Sequence, residues 1–329
     1  MSILANILSS TIIFAVPLLL VALGGMCSER SGIINLALEG IMIIGALGSC
    51  LFLRYFDDIG IGAEHPILGM ALAILIAALI GGIFSLLLAF AAINLKADQT
   101  IGGTALNMLA PAFAVVLTWA IQGQGQTTIN IPTWTRITQA TFGGEANTDG
   151  FFNTLIFKNL YLTTPVAIVL LIVVIIVMYK TRFGLRLRAC GEHPQAADSV
   201  GINVYKMRYA GVFISGMLGG IGGLAFVVAA GSGFQSSVAG YGFLALAVMI
   251  FGNWKPVNIL GASLFFAFFK VIGSYAASIP FMPNLDGIAS KDYIYQMLPY
   301  IVTMVVLILT SKRSAAPKAE GIPYDKGAR

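Results

Sequence analysis

Apolar runs of about 20 residues, the length that carries a helix across a bilayer, recur along this chain between short polar breaks. They lie near 4–27, 32–54, 67–95, 100–122, 160–179, 207–230, 238–252, 256–275 and 293–311. The pattern predicts an all-α, polytopic integral membrane protein with about nine (eight to ten) transmembrane helices. The run at 238–252 is short for a full crossing and the run at 67–95 is long, so broken, re-entrant or tilted elements are expected there. The first run, MSILANILSSTIIFAVPLLL, lacks a basic n-region and a small-residue cleavage site, and so reads as a first membrane helix rather than a removed signal.

The polar intervals organise the rest. Lys180, Arg182, Arg186, Arg188, Lys206 and Arg208 fall in the loop 180–206 and just after it, and Lys312, Arg313, Lys318, Lys326 and Arg329 fall in the tail. Both are expected on the cytoplasmic side by the positive-inside rule. Four runs separate them, an even number, so the two assignments agree. The interval 123–158 then becomes a long external loop, which either receives a partner or gates a pathway, or is a solvated connector with Trp134 as an interfacial anchor. A transmembrane domain of 1–311 and a disordered tail of 312–329, punctuated by Pro317, Gly321 and Pro323, complete the division.

Within the basic loop, TRFGLRLRACGEHPQAADSVG (181–201) carries a helix signature of its own. Pro194 suits a first helical position and Gly201 a stop, giving a helix over Pro194–Val200 of about two turns. Such a helix is too short to be stable alone. Neighbouring spans or a docked partner must hold it, and the preceding arginines can grip anionic lipid.

Composition narrows the class. Hydrophobic residues make up 58% of 329 and charged residues only 10%, against about a quarter in soluble domains, which excludes a soluble enzyme fold. Net charge is +5, but the cations flank apolar runs, the signature of a membrane face rather than a nucleic-acid surface. Cys27, Cys50 and Cys190 are odd in number and match no zinc or CxxC spacing, so they read as buried, reduced thiols. There is no HExxH, no GxxxxGK[ST] phosphate loop and no nucleophile with a base; no catalytic residue, metal or bound cofactor is expected in this chain.

Candidate chemistry therefore rests on polar residues inside apolar runs. Glu39 and Lys270 are the two intramembrane charges. Asn35 and Glu39, at i and i+4, share a helix face in SERSGIINLALEGIMIIG and suit a polar solute, or else Glu39 pairs with another helix or lies near the interface. Lys270, near the outer end of its run, is expected to snorkel to the headgroups. Asn107 is either a solute contact or an interhelical hydrogen bond. Gln235, Ser236 and Tyr241, in a Gly- and Ser-rich lead-in to the short run, face a solute path or form an interfacial turn. Gly216, Gly220, Gly219 and Gly223 form two GxxxG pairs for close helix packing.

SERSGIINLALEGIMIIGA and GEHPQAADSVGINVYKMRYAGVFISGMLGGIGGL resemble the corresponding stretches of bacterial ABC importer permeases, in the grouping of simple-sugar, nucleoside and branched-chain amino acid permeases. The likeness runs in order to about residue 311, and the wording NLALEG and GEHPQAADSVGI is most similar to the nucleoside branch. The resemblance implies a multi-pass subunit of the bacterial plasma (inner) membrane with paired half-repeats and a cytoplasmic C-terminus. Its implied partners are a second homologous permease, an ABC ATPase that binds ATP and Mg, a substrate-binding lipoprotein or periplasmic protein, and membrane lipid. It makes the helix at Pro194–Val200 a coupling helix, with Glu192, His193, Pro194, Ala197 and Gly201 as the ATPase dock, and puts Asn35 and Glu39 where a translocation-path element is expected. A simple-sugar or branched-chain amino acid permease is the alternative within the grouping. Outside it stands a secondary transporter, for which one buried Glu39 is thin support, and an intramembrane enzyme, which lacks any catalytic set.

Overall fold

The computed structural model describes residues 2–137, 160–275 and 315–327, with isolated positions between 297 and 308. Its helices are α1 (Ser2–Glu29), α2 (Leu38–Asp58), α3 (Ile61–Glu64), α4 (Pro66–Ile93) and α5 (Gln99–Gln122). Beyond the loop after α5 come α6 (Thr163–Lys180), α7 (Arg182–Glu192), α8 (Pro194–Ser199), α9 (Val204–Ala230), α10 (Tyr241–Phe251) and α11 (Pro256–Tyr275). Two antiparallel two-residue strands, β1 (Arg136–Ile137) and β2 (Leu160–Tyr161), pair within the long loop.

Seven of these helices are long and apolar enough to cross a membrane: α1, α2, α4, α5, α6, α9 and α11. They match seven of the nine expected runs. The eighth, at 238–252, is the 11-residue α10, only about 16 Å long and so about half a hydrocarbon core. The ninth, at 293–311, lies mostly outside the described residues, and residues 138–159 of the long loop lie wholly outside them.

The centre is built from α1, α2, α4 and α9, and glycine decides how closely they approach. A Cβ on Gly220 would strike the Ala77 carbonyl oxygen, one on Gly223 the Met42 carbonyl oxygen, and one on Gly45 the Cα of Gly220. Gly81 faces the Gly216 carbonyl oxygen at 2.5 Å from where its own Cβ would stand. The glycine-rich face of α9 therefore wedges between α2 and α4 at backbone contact, the small-residue packing expected of 216/220 and 219/223. By contrast, α5 and α6 have only 17% and 28% of their spans buried and present apolar faces outward.

Two expectations are corrected. The tail is not a free segment over 315–327: Ala319 and Tyr324 are buried, at 6% and 5% exposure. The Ala319 N–H donates to the Gly191 carbonyl at 2.8 Å, the Gly321 N–H to the Gly32 carbonyl at 3.2 Å, and the Ala315 N–H to Asn253 Oδ1 at 2.8 Å. Arg208 Nη1 donates to the Ile322 carbonyl at 3.0 Å, the Tyr324 ring packs edge-on to Tyr205, and Lys96 pairs with Asp325 at 2.9 Å. Trp134, expected as a headgroup anchor, turns into the protein instead. Its Nε1 donates to Asp57 Oδ1 at 2.7 Å and its ring meets Phe56, against the open faces of Gly62 and Gly69.

Candidate functional site

Two backbone breaks meet beside the central helices. The first, residues 30–37 between α1 and α2, turns at Gly32 in a left-handed conformation (φ +97°) that disfavours a side chain. Every polar residue flagged in this stretch is engaged in holding it. Asn35 Oδ1 accepts from the Ala37 N–H at 3.1 Å and its Nδ2 donates to Ser215 Oγ at 2.8 Å. Asn107, from α5, accepts from the Gly40 N–H at 2.8 Å and donates to the Leu36 carbonyl at 2.7 Å. Gln99 Oε1 accepts from the Ile34 N–H at 2.7 Å. Backbone freed from a helix inside a membrane has to be satisfied by protein, and these amides satisfy it.

The second break, residues 231–240, precedes α10. Phe234 exchanges backbone hydrogen bonds with Ile129 of the long loop, both at 2.9 Å. From there the chain alternates: Phe234, Ser236 and Val238 are buried while Gln235, Ser237 and Ala239 are exposed. Gln235 thus faces open space, whereas Ser236, at 5% exposure, points into the protein rather than along a path. Ser237, not singled out from the sequence, shares the open face with Gln235, and its Oγ accepts from the Ala239 N–H at 3.1 Å.

Glu39 joins the two breaks. Its Oε1 accepts from the Gly240 N–H at 2.8 Å and its Oε2 from the Gly242 N–H at 2.6 Å. An acidic group at a helix N-terminus satisfies orphan N–H donors and complements the helix dipole. No Cβ fits at Gly242, because the Glu39 backbone occupies its place. The opposite end of α10 is held by a second glutamate: Trp254 Nε1 donates to Glu29 Oε2 at 2.5 Å, and Arg30 Nη2 donates to the Trp254 carbonyl at 3.3 Å. The half-length helix is therefore hung between Glu39 and the Glu29–Arg30 corner.

Tyr241 opens α10 inside an aromatic group, its ring centroid 4.5 Å from Phe226 and 6.5 Å from Phe14. Lys270 Nζ lies 5.8 Å from the same centroid. The expected snorkelling of Lys270 is thus replaced by a cation–π contact inside the bundle, since the π face of Tyr241 on the neighbouring helix α10 gives its ammonium a partner there. On the side of the described loop, a cavity of about 500 Å³ is lined by Arg54, Asp57, Gln122, Gln126, Thr128 and Asn130 among others.

The face opposite that cavity carries α7 and α8. The observed short helix is Pro194–Ser199, led by Pro194 at its first turn and followed by Gly201 at φ +84°. Pro194 and Ala197 are turned inward, Ala197 packing with Cys190, Val204 and Tyr324. What the helix offers outward is Gln195, Ala196, Ser199 and Val200, with His193 and Gly201 beside them; Val200 is 74% exposed. Glu192, just before the helix, pairs with Arg30 at 3.6 Å. This links the α7–α8 corner to the residue that holds the base of α10. The cysteines are all buried and free, and no group of three metal-ligating side chains occurs among the described residues.

Seven spans around two backbone breaks, one of them capped across the bundle by an intramembrane carboxyl, define a multi-pass membrane transport protein with discontinuous helices. Residues 7–310 match the model of the family described as "Branched-chain amino acid transport system / permease component", and the chain belongs to that family. It is 42% identical to the guanosine ABC transporter permease protein NupQ of Bacillus subtilis (strain 168), covering 99% of this chain and 98% of that one. It is 41% identical to the nucleoside ABC transporter permease protein NupC of Lactococcus lactis subsp. cremoris (strain MG1363), over 97% and 96%. A putative glucose ABC transporter permease protein, TsgC13 of Haloferax volcanii, is 29% identical over 97% of each chain. No solved structure matches. The chain is therefore a permease subunit, and its likeness to NupQ and NupC falls in the nucleoside branch that NLALEG and GEHPQAADSVGI pointed to.

Proposed function

We propose that this chain is the membrane-embedded half of an ATP-driven nucleoside importer, working with a second homologous permease, an ABC ATPase and a substrate-binding lipoprotein or periplasmic protein. ATP and Mg bind in the ATPase and none of that chemistry falls on this chain. The loop 180–206 and the C-terminus lie on the cytoplasmic side, where their cations are favoured. The exposed residues of α8, Gln195, Ala196, Ser199 and Val200, with His193 and Gly201, meet the ATPase, while Pro194 and Ala197 anchor the helix from behind.

The observation that carries this reading is the connection from α8 to α10. Motion of α8 pulls on Glu192, and through the Glu192–Arg30 pair on the carbonyl of Trp254 at the foot of α10. The head of α10 carries Tyr241 and abuts the break whose open face shows Gln235 and Ser237. A nucleoside presents its hydroxyls to the amide of Gln235 and the hydroxyl of Ser237, while Tyr241, only 2% exposed, braces the head of α10 from within. Glu39, Asn35 and Asn107 keep the breaks in shape rather than meeting the solute directly.

The test is uptake in proteoliposomes holding the whole transporter, with nucleosides, simple sugars and branched-chain amino acids as competitors. Competition by nucleosides alone, strictly dependent on ATP and the ATPase, is expected. Competition by glucose in their place would favour the sugar reading that the Haloferax relative suggests, and uptake driven by a proton gradient without the ATPase would overturn the assignment.

A further inference from the structure

A cleft of about 220 Å³ opens between α6, α7 and α9, with Val173 and Val177 on one wall, Met217 and Ile221 on the other, and Phe183 and Leu187 of α7 across one end. All of its lining residues are apolar. Two of its walls are spans, so it stands at hydrocarbon depth, where water has no partner and an apolar occupant does.

The end closed by α7 is chemically different. Thr181 Oγ1 accepts from the Gly184 N–H at 3.2 Å, starting a new helix immediately after α6. Gly184 lets that helix lie against the end of α6, since a Cβ there would strike the Val177 carbonyl oxygen. The result is an amphipathic helix at the end of a span: Phe183 and Leu187 turn into the cleft, while Lys180, Arg182 and Arg186 stand exposed around Leu185, itself 63% exposed. No carboxylate among the described residues pairs with these three cations. Arg188 is spent differently, with its guanidinium 4.8 Å from the Tyr179 ring centroid.

We propose that this cleft is a binding site for one anionic phospholipid, its acyl chain between α6 and α9 and its phosphate on Lys180, Arg182 and Arg186. The charge complementarity selects the occupant: an apolar slot ending in three unpaired cations at headgroup level fits an acidic lipid better than a zwitterionic one. Occupancy has a consequence for coupling. The lipid fixes α7 against α6, and α7 runs through Glu192 directly into α8, so the lipid sets the position of the helix that meets the ATPase.

The experiment is native mass spectrometry of the purified full chain, delipidated and offered equal phosphatidylglycerol and phosphatidylcholine. One retained phosphatidylglycerol is expected, favoured at least about tenfold. Arg182→Gln combined with Arg186→Gln removes the headgroup preference and leaves weak binding of either lipid. Met217→Trp or, separately, Val173→Phe fills the slot and abolishes retention while leaving thermal unfolding in detergent near wild type. Equal retention of both lipids by the wild type, or an undiminished preference in the arginine variant, would overturn the proposal. So would photo-crosslinking from position 173 to the second permease in the intact complex, which would mean that protein and not lipid fills the cleft.

Discussion

Removing the Glu39 carboxyl tests the geometry most directly, because two backbone donors at the head of α10 depend on it. Gly240 and Gly242 donate to its two oxygens at 2.8 and 2.6 Å. A net intramolecular hydrogen bond is worth about 1 kcal/mol, rising to about 3 kcal/mol when the acceptor is charged or the donor is left buried without a partner. Glu39→Ala loses both bonds and should cost about 2–6 kcal/mol. Glu39→Gln keeps one carbonyl acceptor but aims an NH₂ at the other donor, so about half that loss is expected. The same ordering should appear in amide hydrogen exchange over 240–244, where each 1.4 kcal/mol speeds exchange about tenfold if opening is local. The assay is exchange and thermal unfolding of the purified chain in detergent, beside solute affinity in the assembled transporter. If Glu39→Gln weakens solute binding while exchange at 240–244 and thermal stability stay at wild type, Glu39 is a solute contact and the capping argument is wrong.

Gly220→Ala should remove nearly all folded protein from the membrane, since its methyl would collide with the Ala77 carbonyl, whereas Gly261→Ala, which meets nothing, should be silent in the same expression assay. Tyr324→Ala should cost about 3 kcal/mol of tail docking by emptying its site against Tyr205, Cys190 and Val204, read as faster proteolysis within 315–327. Tail docking should also follow pH. Burial raises Glu320 above its ordinary 4.5, so its contribution is present when protonated and is lost as pH climbs through the raised value. The hydrogen bond from Lys96 lowers Asp325 below its ordinary 3.8, so that contribution is present above 3.8 and lost in stronger acid. Protease protection of the tail should therefore peak in mild acid and fall on both sides; a flat profile would refute the assignment. Arg30→Ala and Glu192→Ala should each lower transport per ATP hydrolysed, and the double variant should be no worse than the worse single one if the two act as a pair.

The spans were legible because one physical rule, about 20 apolar residues per crossing, acts on each segment alone. The polar exceptions were legible as places needing an explanation, but not as which explanation applies. An amide such as Asn107 in an apolar helix must be satisfied by something, and the sequence does not say that the Leu36 carbonyl and Gly40 N–H lie across from it. Lys270 was misread for a similar reason, since the Tyr241 ring that receives it is brought near only by the packing of α10 on α11. The tail was missed on different grounds. Its docking runs largely through backbone groups, Ala319 to Gly191 and Gly321 to Gly32, which leave no periodic side-chain pattern, and its Pro and Gly content imitates an unfolded segment.

Those tail contacts change how the α8 corner should be understood. Gly32 sits in the first break, Gly191 at the end of α7, Arg208 near the start of α9, Asn253 at the foot of α10, and Lys96 between α4 and α5; the tail touches all five. Without it, the link from α8 to the base of α10 among the described residues would rest on the packing of Gly191 against the Arg30 carbonyl and on the Glu192–Arg30 pair, whose glutamate is 42% exposed and which contributes little on its own. With it, Tyr324 fills the space behind Ala197 while Ala319 and Gly321 bind the end of α7 and the first break, so the tail ties α8 and the first break together. On the proposed coupling role of α8, a displacement of that helix would reach the foot of α10 through the tail and the Glu192–Arg30 pair together. The half-length of α10 makes such a connection useful, because an 11-residue helix held at its head by Glu39 and at its foot by Glu29 and Arg30, with its inner face packed on α1, α2 and α11, can shift without stretching a span.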